Sequence, residues 1–340
     1  MTDDQMKKWL QDGDSPQLQP GRDLSEVPLQ RLRFAFTRAS AFYASQVAWF
    51  QEYIPDIRHV SKSGGTIHEF SLTVQPPVEE WALLAGEILN QLSSARDNLF
   101  KDVVKRASDG EEGITKNLKG GAHHWPSYFD ERQWEPFVRR YHFIPEVILD
   151  RIKSFQPFLD LHPDGGTTDR EWMKAGASTW ARQLNNHDKH DEPMRVAAHH
   201  YLGSGVTALS EITLRGEVQQ RWDHTDPHSS EPLISIHCEP VDDLRLTVPT
   251  IDIVLMSMGP SELKWDPLNS GLWSALWESQ CVINTVYYGR ERARELSIPF
   301  MEYASRESWT DFRYVLKPGG GYDLLIRGNY AQEALKQCFV

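Results

Sequence analysis

At 340 residues the chain is long for a single hydrophobic core and long enough for two, because single cores usually stop growing at about 250–300 residues. Hydrophobic residues make up 40% of the sequence and charged residues 25%, a globular composition that argues against disorder throughout. A formal net charge of −12 repels phosphate, so a large nonspecific interface with nucleic acid is disfavoured.

The sequence predicts a cytoplasmic protein. It has no apolar run of the roughly 18–20 residues that a membrane span needs, and its first residues lack the basic-then-apolar pattern of a secretory signal. Its three cysteines, Cys238, Cys281 and Cys338, have no CxxC spacing, which favours free thiols in a reducing compartment. We therefore expect no thiolate zinc site, no cofactor and no membrane partner.

The first part of the chain is predicted to contain a tail, a long helix and a β-hairpin. Residues 1–21 are rich in Asp, Gln, Gly and Pro, which is typical of a disordered tail. From Leu24 to Tyr53 apolar residues recur at helical spacing. Alternating apolar residues over 57–74, interrupted by Gly64 and Gly65, predict two strands joined by a glycine turn.

Helices are predicted to dominate the region that follows. A second long helix begins after Pro77 and ends near Ser108. Residues 108–143 are rich in Gly, His and aromatic residues without a clear period, which predicts an irregular inserted loop. Further helices are predicted at 145–155 and 170–186. The apolar stripe of the second long helix is predicted to contain Val78, Trp81, Ala85, Ile88, Leu92, Leu99 and Val103.

After Pro193 the apolar pattern changes to a two-residue period. Alternation at 233–238 and 251–255 predicts strands of an antiparallel sheet. A helix is predicted over 268–288. A second hairpin at 312–327 and a short C-terminal helix are predicted to follow it.

These elements together predict an α+β fold. The tail precedes an N-terminal helical bundle, 22–192, that carries the small hairpin and the loop 108–143 as insertions. An antiparallel β-rich region, 193–340, with one packing helix completes the chain. The sequence contains no G-x-x-x-x-G-K-[ST], G-x-G-x-x-G or G-x-S-x-G, so nucleotide-loop and serine-hydrolase functions lack a motif.

The densest cluster of ionisable residues follows the predicted helix 170–186. His187 and His190 lie three apart, which would place two metal ligands on one face if the helix continues. Alternatively, the cluster caps the helix C-terminus, where Lys189 and His190 suit the negative end of the helix dipole. The sequence does not bring a third metal ligand to this site; the candidates are His123, His124, His199 and His200.

Three segments resemble the motifs of a group of uncharacterised bacterial proteins. They are GEILNQLSSARDNL at 86–99, IKSFQPF at 152–158 and LNNHDKH at 184–190. The group typically has G-E-x-L-x-x-L-R-S-A-L-D-H-L in its first helix and L-x-N-I-D-K-H-R as its last motif, and the resemblance spans roughly residues 24–290. The R-S-A-L-D-H portion of that group is similar to the R-x4-H signature of HEPN domains, helical bundles that often act as ribonucleases in defence and toxin systems.

This chain departs from the HEPN signature at both of its positions. Ser93 stands where the resemblance implies a phosphate-holding arginine, and Asn98 stands where it implies the histidine base. Arg182 and His187 restore the R-x4-H count, but within a helix five residues place two side chains about 140° apart. Asp191 also replaces the arginine that the group has after D-K-H. The resemblance therefore implies a degenerate or displaced site.

Polar residues interrupt the apolar stripe of the second long helix. Arg96 lies within the stripe, and a buried arginine requires a carboxylate or carbonyl partner. We predict that this region faces the segment 186–190, with Arg96 or Asp97 in a hydrogen-bonded network that reaches Asp188, Lys189 or His190. The binding candidates are Arg96, Asp97, Asn98, Asn186 and Lys189. A further group either shapes an aromatic pocket or anchors the loop: His123, His124, Trp125, Tyr128 and Phe129.

Three classes of function follow. The first is a HEPN-like helical protein with a degenerate motif, acting as a binding or regulatory component of a stress or phage-defence response. The second is a metal-dependent phosphohydrolase, because the His187-Asp188 pair resembles the core of HD phosphohydrolases. The third is a small-molecule enzyme of a specialised pathway. The catalytic candidates are Asp188, His190, His187 and Arg182.

The expected partners follow from local charge. The sequence has two clusters of basic residues. If they lie on solvent-exposed helix faces, they need no binding partner. If they form a local basic patch, they would bind nucleic acid or a nucleotide. We also expect that the protein forms a homodimer. The clusters comprise Arg132, Arg139, Arg140, Arg151 and Lys153 in one group, and Arg290, Arg292 and Arg294 in the other.

Overall fold

The structure is a computed structural model, and only part of the chain is described. The described residues are 26–53, 57–72, 76–108, 123–159, 177–190, 194–202, 207–208, 219–220, 234–240, 246–247, 250–258, 265–289, 293, 312–318 and 322–326. The predicted tail and the predicted C-terminal helix lie outside these residues.

Four helices form the bundle that positions the candidate site. They are α1 (Glu26–Glu52), α2 (Val78–Ala107), α5 (Ala177–His190) and α6 (Leu268–Tyr288). Helix α2 contacts the other three, and α6 also contacts α1 and α5. Two shorter helices, α3 (Trp134–Arg140) and α4 (Glu146–Lys153), lie between α2 and α5 in the sequence. None of the described helices is long and apolar enough to cross a membrane.

Helix α2 has clear sequence signals at both ends. Pro77 precedes its first residue, and acidic residues lie in its first turn and basic residues in its last, which suits the helix dipole. The predicted stripe is confirmed: six of its members are buried, namely Trp81, Ala85, Ile88, Leu92, Leu99 and Val103.

The predicted N-terminal hairpin is confirmed. Strands β1 (Ile57–Lys62) and β2 (Ile67–Leu72) pair antiparallel with Lys62 opposite Ile67. The turn between them contains Gly64 and Gly65 with positive φ angles of 66° and 80°. Glycine adopts this left-handed conformation without a steric penalty.

The strands within the described residues form three antiparallel sheets. The first has the order β1-β2-β6-β5, the second has β11-β10-β8-β3 with β9 added to β8, and the third pairs β4 with β7. The bounds are β3 Val196–Leu202, β4 Thr207–Ala208, β5 Gln219–Gln220, β6 Ile234–His237, β7 Leu246–Thr247, β8 Thr250–Met258, β9 Trp265–Pro267, β10 Phe312–Leu316 and β11 Tyr322–Ile326. The α+β class, the strands at 233–238 and 251–255 and the second hairpin are confirmed.

The division of the chain at residue 192 does not correspond to two separate structural units. Strand β6 comes from the predicted C-terminal region but pairs with β2 of the N-terminal hairpin. Helix α6, predicted to pack on a C-terminal sheet, is a member of the bundle and also contacts β8. The two predicted strands 233–238 and 251–255 therefore belong to different sheets.

The prediction of an irregular loop over 108–143 was wrong for its second half. A 3-10 turn at Glu131–Gln133 leads into α3. Phe137 of α3 stacks at 5.6 Å from Phe100 of α2 and at 4.8 Å from Tyr141, measured between ring centroids. Burial of these rings stabilises a helix too short to form alone.

Helix α5 also differs from its prediction. It continues to His190 instead of ending near Asn186. Residues 170–176 of the predicted helix lie outside the described part. Trp180 and Leu184 are buried as predicted.

Candidate functional site

A polar pocket lies where α2, α5 and α6 meet the extended segment 123–126. Its volume is about 360 Å³, which is at the small end of the range for ligand-binding pockets. Its lining residues include Ser93, Arg96 and Asp97 from α2, His124 and Trp125 from the extended segment, Arg182, Asn185 and Asn186 from α5, and Ser279 from α6. The pocket therefore combines residues that are distant in sequence.

Arg96 is buried at the base of the α2–α6 contact. Its side chain is only 7% exposed, and its Nη2 lies 3.2 Å from Oε1 of Glu278 on α6. The guanidinium also lies over the Trp125 ring, 5.9 Å from the ring centroid. Burial lowers the pKa of Arg96 from its ordinary value, and the charge of Glu278 opposes that effect. The predicted carboxylate partner of Arg96 is thus Glu278.

Asp97 anchors the extended segment to α2. Its Oδ1 accepts a hydrogen bond from the backbone N–H of Trp125 at 2.8 Å, and its Oδ2 lies 2.8 Å from Nδ1 of His124. A carboxylate only accepts hydrogen bonds, so Nδ1 of His124 carries the hydrogen. In the neutral ring Nε2 is then an acceptor. The His124 side chain is 56% exposed, so this nitrogen can reach a ligand.

Arg182 connects α5 to the same segment. Its Nη1 donates to the backbone carbonyl of Trp125. Among the described residues it has no carboxylate within ion-pair distance. Burial is the main reason why the pKa of Arg96 is lowered, and the positive charge of Arg182 lowers it further. Two guanidinium groups therefore lie close together in the pocket, and only that of Arg96 is paired with a carboxylate there.

Three buried side-chain oxygen atoms of residues that line the pocket have no hydrogen-bond partner within the described part of the chain. They are Oγ of Ser93, Oδ1 of Asn185 and Oγ of Ser279. Asn185 is 3% exposed and Ser279 is fully buried. Buried polar groups are nearly always hydrogen-bonded in native proteins, so these three atoms require an explanation.

Basic groups also surround His123, which precedes the pocket residue His124 in the sequence. Burial lowers the pKa of His123, and the nearby charges of Arg140, Lys101 and His124 lower it further. These groups come from α2, α3 and the extended segment. His123 therefore lies among positive charges, although the whole chain carries a net charge of −12.

The structure brings four of the predicted site residues together. Arg96, Asp97, Arg182 and Asn186 all line the pocket. Asn98 is half-buried on α2 and is not among the lining residues. The predicted network to the end of α5 stays a prediction, because the side chains of 187–190 lie outside the described part.

The displaced R-x4-H motif lies within one continuous helix. The backbone of α5 is helical from Ala177 to His190 without a break, so Arg182 and His187 lie on different faces. Arg182 and His187 could pair only if the helix ended between them, and within α5 it does not end there. His187 and His190 do share one face of the continuous helix. Within the described residues, no group of three His, Cys, Asp or Glu side chains could hold a metal ion.

The predicted basic cluster on 132–153 is largely engaged in contacts within the chain. Arg132 pairs with Asp130 at 2.7 Å and Lys153 with Glu131 at 3.0 Å. Arg151 donates to the backbone carbonyl of Val286 at 3.0 Å. Arg139 and Arg140 are exposed. The second basic cluster, 290–294, falls outside the described residues except for position 293.

Several pocket residues were not assigned to the site by sequence reasoning. His124 was predicted as a candidate third metal ligand and, with Trp125, as part of an aromatic pocket or an anchored loop, and Asn185 only as part of the motif LNNHDKH at the end of the predicted helix. Glu278 and Ser279 gave no signal, because polar residues on an otherwise apolar helix are common. Their role follows only from the contact between α2 and α6.

A scan against protein-family models, a search of curated proteins and a search of solved structures found no match to this chain.

Proposed function

We propose that the chain binds a small anionic ligand, with a phosphate or carboxylate group, in the pocket between α2, α5 and α6. The observation that carries this proposal is the convergence of Arg96 and Arg182, of which, among the described residues, only Arg96 is paired with a carboxylate. Like charges placed close together destabilise each other, and an anion between them relieves the repulsion.

Arginine suits such a ligand for geometric reasons. Its planar guanidinium presents several N–H donors that match the oxygens of phosphate or carboxylate. One nitrogen of Arg182 is engaged with the Trp125 carbonyl, which fixes the side chain at the pocket and leaves further donors for a ligand. A protonated His124 would add one more positive group at the mouth.

Ligand binding agrees with the first of the predicted functional classes. We propose that the protein acts as a HEPN-like binding or regulatory component, and that the pocket recognises its effector. The role in stress or phage defence rests on the sequence resemblance alone.

A second candidate function, a small-molecule enzyme, is favoured by the contact between Asp97 and His124. A carboxylate that holds one imidazole nitrogen leaves the other nitrogen oriented to accept a proton from a bound substrate. In that case His124→Gln would abolish turnover while ligand affinity stays within about threefold of the wild-type value, about 0.7 kcal/mol.

The binding proposal is tested by titrating inorganic phosphate into the protein by calorimetry at constant ionic strength. Arg182→Met should weaken binding at least about tenfold, because a charge-assisted hydrogen bond contributes about 1.5–3 kcal/mol. Arg139→Met is the matched control, since Arg139 is exposed on α3 and does not line the pocket. Equal affinities for the two variants would show that the anion binds elsewhere.

A further inference from the structure

His124 is a lining residue of the pocket whose charge can change near neutral pH, because an imidazole ordinarily titrates at about pH 6.5. Its Nδ1 lies 2.8 Å from Oδ2 of Asp97, and its side chain is 56% exposed. The ring donates this hydrogen bond in the neutral form and in the imidazolium form alike. Proton uptake at Nε2 therefore leaves the contact with Asp97 in place and adds one positive charge to the pocket lining.

His124 and Arg182 are anchored at neighbouring points of the chain. Asp97 accepts hydrogen bonds from the His124 ring and from the backbone N–H of Trp125, both at 2.8 Å. Arg182 donates to the backbone carbonyl of the same Trp125. Both side chains line one pocket of about 360 Å³. An anion seated at Arg182 consequently lies close to the His124 ring.

The charged residues that line the pocket, taken together with the ion-pair partner of Arg96, balance one another when His124 is neutral. Arg96 and Arg182 carry positive charge, and Asp97 carries negative charge in the same lining. Glu278, at 3.2 Å from Arg96, supplies a second negative charge. A bound anion then meets no net positive charge in this set, and protonation of His124 supplies one.

The groups packed around the segment 123–126 either favour or oppose the imidazolium form of His124. Asp97 favours it, whereas the positive charges nearby oppose it, and a bound anion weakens that opposition. His123 does not take the proton in its place, since burial and nearby positive charges lower the pKa of His123. Tyr141, which lies 3.5 Å from His123, stays neutral because burial raises its pKa. The charged groups in question are Arg96, Asp97 and Lys101 on α2, Arg140 on α3, Arg182 on α5 and Glu278 on α6.

Anion binding and protonation of His124 strengthen each other by the same factor, because the coupling between two binding events is reciprocal. An opposite charge within about 4–6 Å shifts a titration by roughly 1–3 pH units. The contribution of the protonated ring to affinity is fully present at low pH. It is lost as pH rises through the titration of His124 in the anion-bound protein.

We propose that the pocket takes up its anion together with a proton at His124, so that the affinity for the anion increases as pH falls. This inference rests on the proposed binding of an anion and adds the regulation of that site. The regulating quantity is the local pH, and the ligand itself needs no titratable group.

The first test measures phosphate affinity by calorimetry at about pH 6 and about pH 8, at matched ionic strength, in the wild-type protein and in His124→Gln. Glutamine keeps an N–H donor for Asp97 but cannot take up a proton. Phosphate itself titrates in this range, and the variant carries that contribution alone. The ratio of wild-type to variant affinity should be close to one at the higher pH and at least about fivefold at the lower pH, for a titration shift of about 1 pH unit.

Two further histidine variants serve as controls for this measurement. His142→Gln, which is exposed and outside the pocket lining, should match the wild-type protein at both pH values. His123→Gln should match it as well. If the pH dependence disappears in His123→Gln instead, the proton is taken up at His123 and the proposal is overturned.

The second test needs no variant of His124. The ring resonances of His124 are followed by NMR as a function of pH, with and without saturating phosphate. The midpoint of the His124 titration should rise by at least about 1 pH unit when phosphate is bound. The midpoint of His142 should stay unchanged, which makes it an internal control for the effect of salt.

The outcomes separate this inference from the proposed function. If phosphate does not bind in a manner that depends on Arg182, the proposed function fails and the coupling fails with it. If phosphate binds through Arg182 but the His124 midpoint is the same in the free and the bound protein, only the coupling is overturned. An affinity ratio that is equal at the two pH values has the same meaning.

Discussion

Arg96 illustrates how a single residue links the stability of the bundle to its site. It lies in the middle of an apolar stripe, and its contact with Glu278 joins α2 to α6 across 182 positions of sequence. Sequence reasoning predicted that a buried arginine would need a carboxylate but not which one, because nothing local identifies a partner that distant.

Replacing Arg96 with Met should destabilise the protein by about 3 kcal/mol, since loss of one member of a buried ion pair leaves the other charge unpaired. The measurement is urea unfolding. The matched control is Arg38→Met, which removes an Arg–Glu pair whose side chains are 46% and 38% exposed; exposed pairs contribute at most about 1 kcal/mol. Equal losses in the two variants would show that the Arg96–Glu278 contact is not the buried pair described above.

His123 is predicted to report its own burial and the positive charges beside it. Burial and the charges of Arg140, Lys101 and His124 hold its pKa below the ordinary value of 6.5. Titration followed by NMR should show this lowered pKa, and Arg140→Gln should raise it towards 6.5, whereas Arg139→Gln should leave it unchanged. A pKa above 6.5 in the wild-type protein would contradict the burial of His123 beside these positive charges.

The lowered pKa of His123 also makes the free energy of unfolding depend on pH. The fold favours the neutral form of His123, so its stabilising contribution is fully present above the unfolded-state pKa and is lost as pH falls from 6.5 through the lower folded-state pKa. The slope of unfolding free energy in this window should decrease in His123→Gln.

At the scale of elements, the success of prediction depended on the number of helical turns. The stripes of α1, α2 and α6 extend over many turns, and these helices were predicted with nearly correct bounds. Helix α3 has seven residues with Pro136 in its first turn, so it shows too few periods to be recognised. The pairing of β6 with β2 was also not predictable, because register between distant strands has no local signal.

The contact between α5 and α6 can be tested by a Gly→Ala substitution, which we expect to destabilise the protein here although it usually stabilises a helix. Gly→Ala within a helix normally stabilises it by about 1 kcal/mol. At Gly271, however, a Cβ atom would lie 2.5 Å from the ring of Trp180, a rigid and buried side chain. Gly271→Ala should therefore destabilise the protein by about 1–3 kcal/mol, measured by urea unfolding.

Ser274→Ala serves as the control for helix propensity in the same helix, and it should change stability by at most about 0.5 kcal/mol. If Gly271→Ala stabilised the protein, the close packing of α5 against α6 would be incorrect. The position of Asn185 relative to Ser279 depends on that packing, so this result would also weaken the account of the pocket.

At the scale of the whole molecule, the local charge at the pocket differs from the net charge of the chain. The chain carries a net charge of −12, yet Arg96 and Arg182 line one polar pocket, and Lys101 and Arg140 lie near His123, the residue before the pocket residue His124. Sequence reasoning assigned Arg96, Asp97, Arg182 and Asn186 to a site because polar residues interrupted apolar stripes. It named His124 as a candidate metal ligand but not as a partner of Asp97, and it missed Glu278 and Ser279, because these contacts arise only when the bundle and the segment 123–126 come together.

The most direct test of the central claim, that this pocket binds an anion, is hydrogen–deuterium exchange with and without saturating inorganic phosphate at matched ionic strength. We expect phosphate to slow exchange in the segment 123–128, in which Asp97 accepts a hydrogen bond from the Trp125 N–H. Exchange should also slow in residues 92–98 and 181–186. Arg182→Met should lose this protection and Arg139→Met should retain it. Phosphate protection confined to other parts of the chain, or identical in both variants, would contradict the claim.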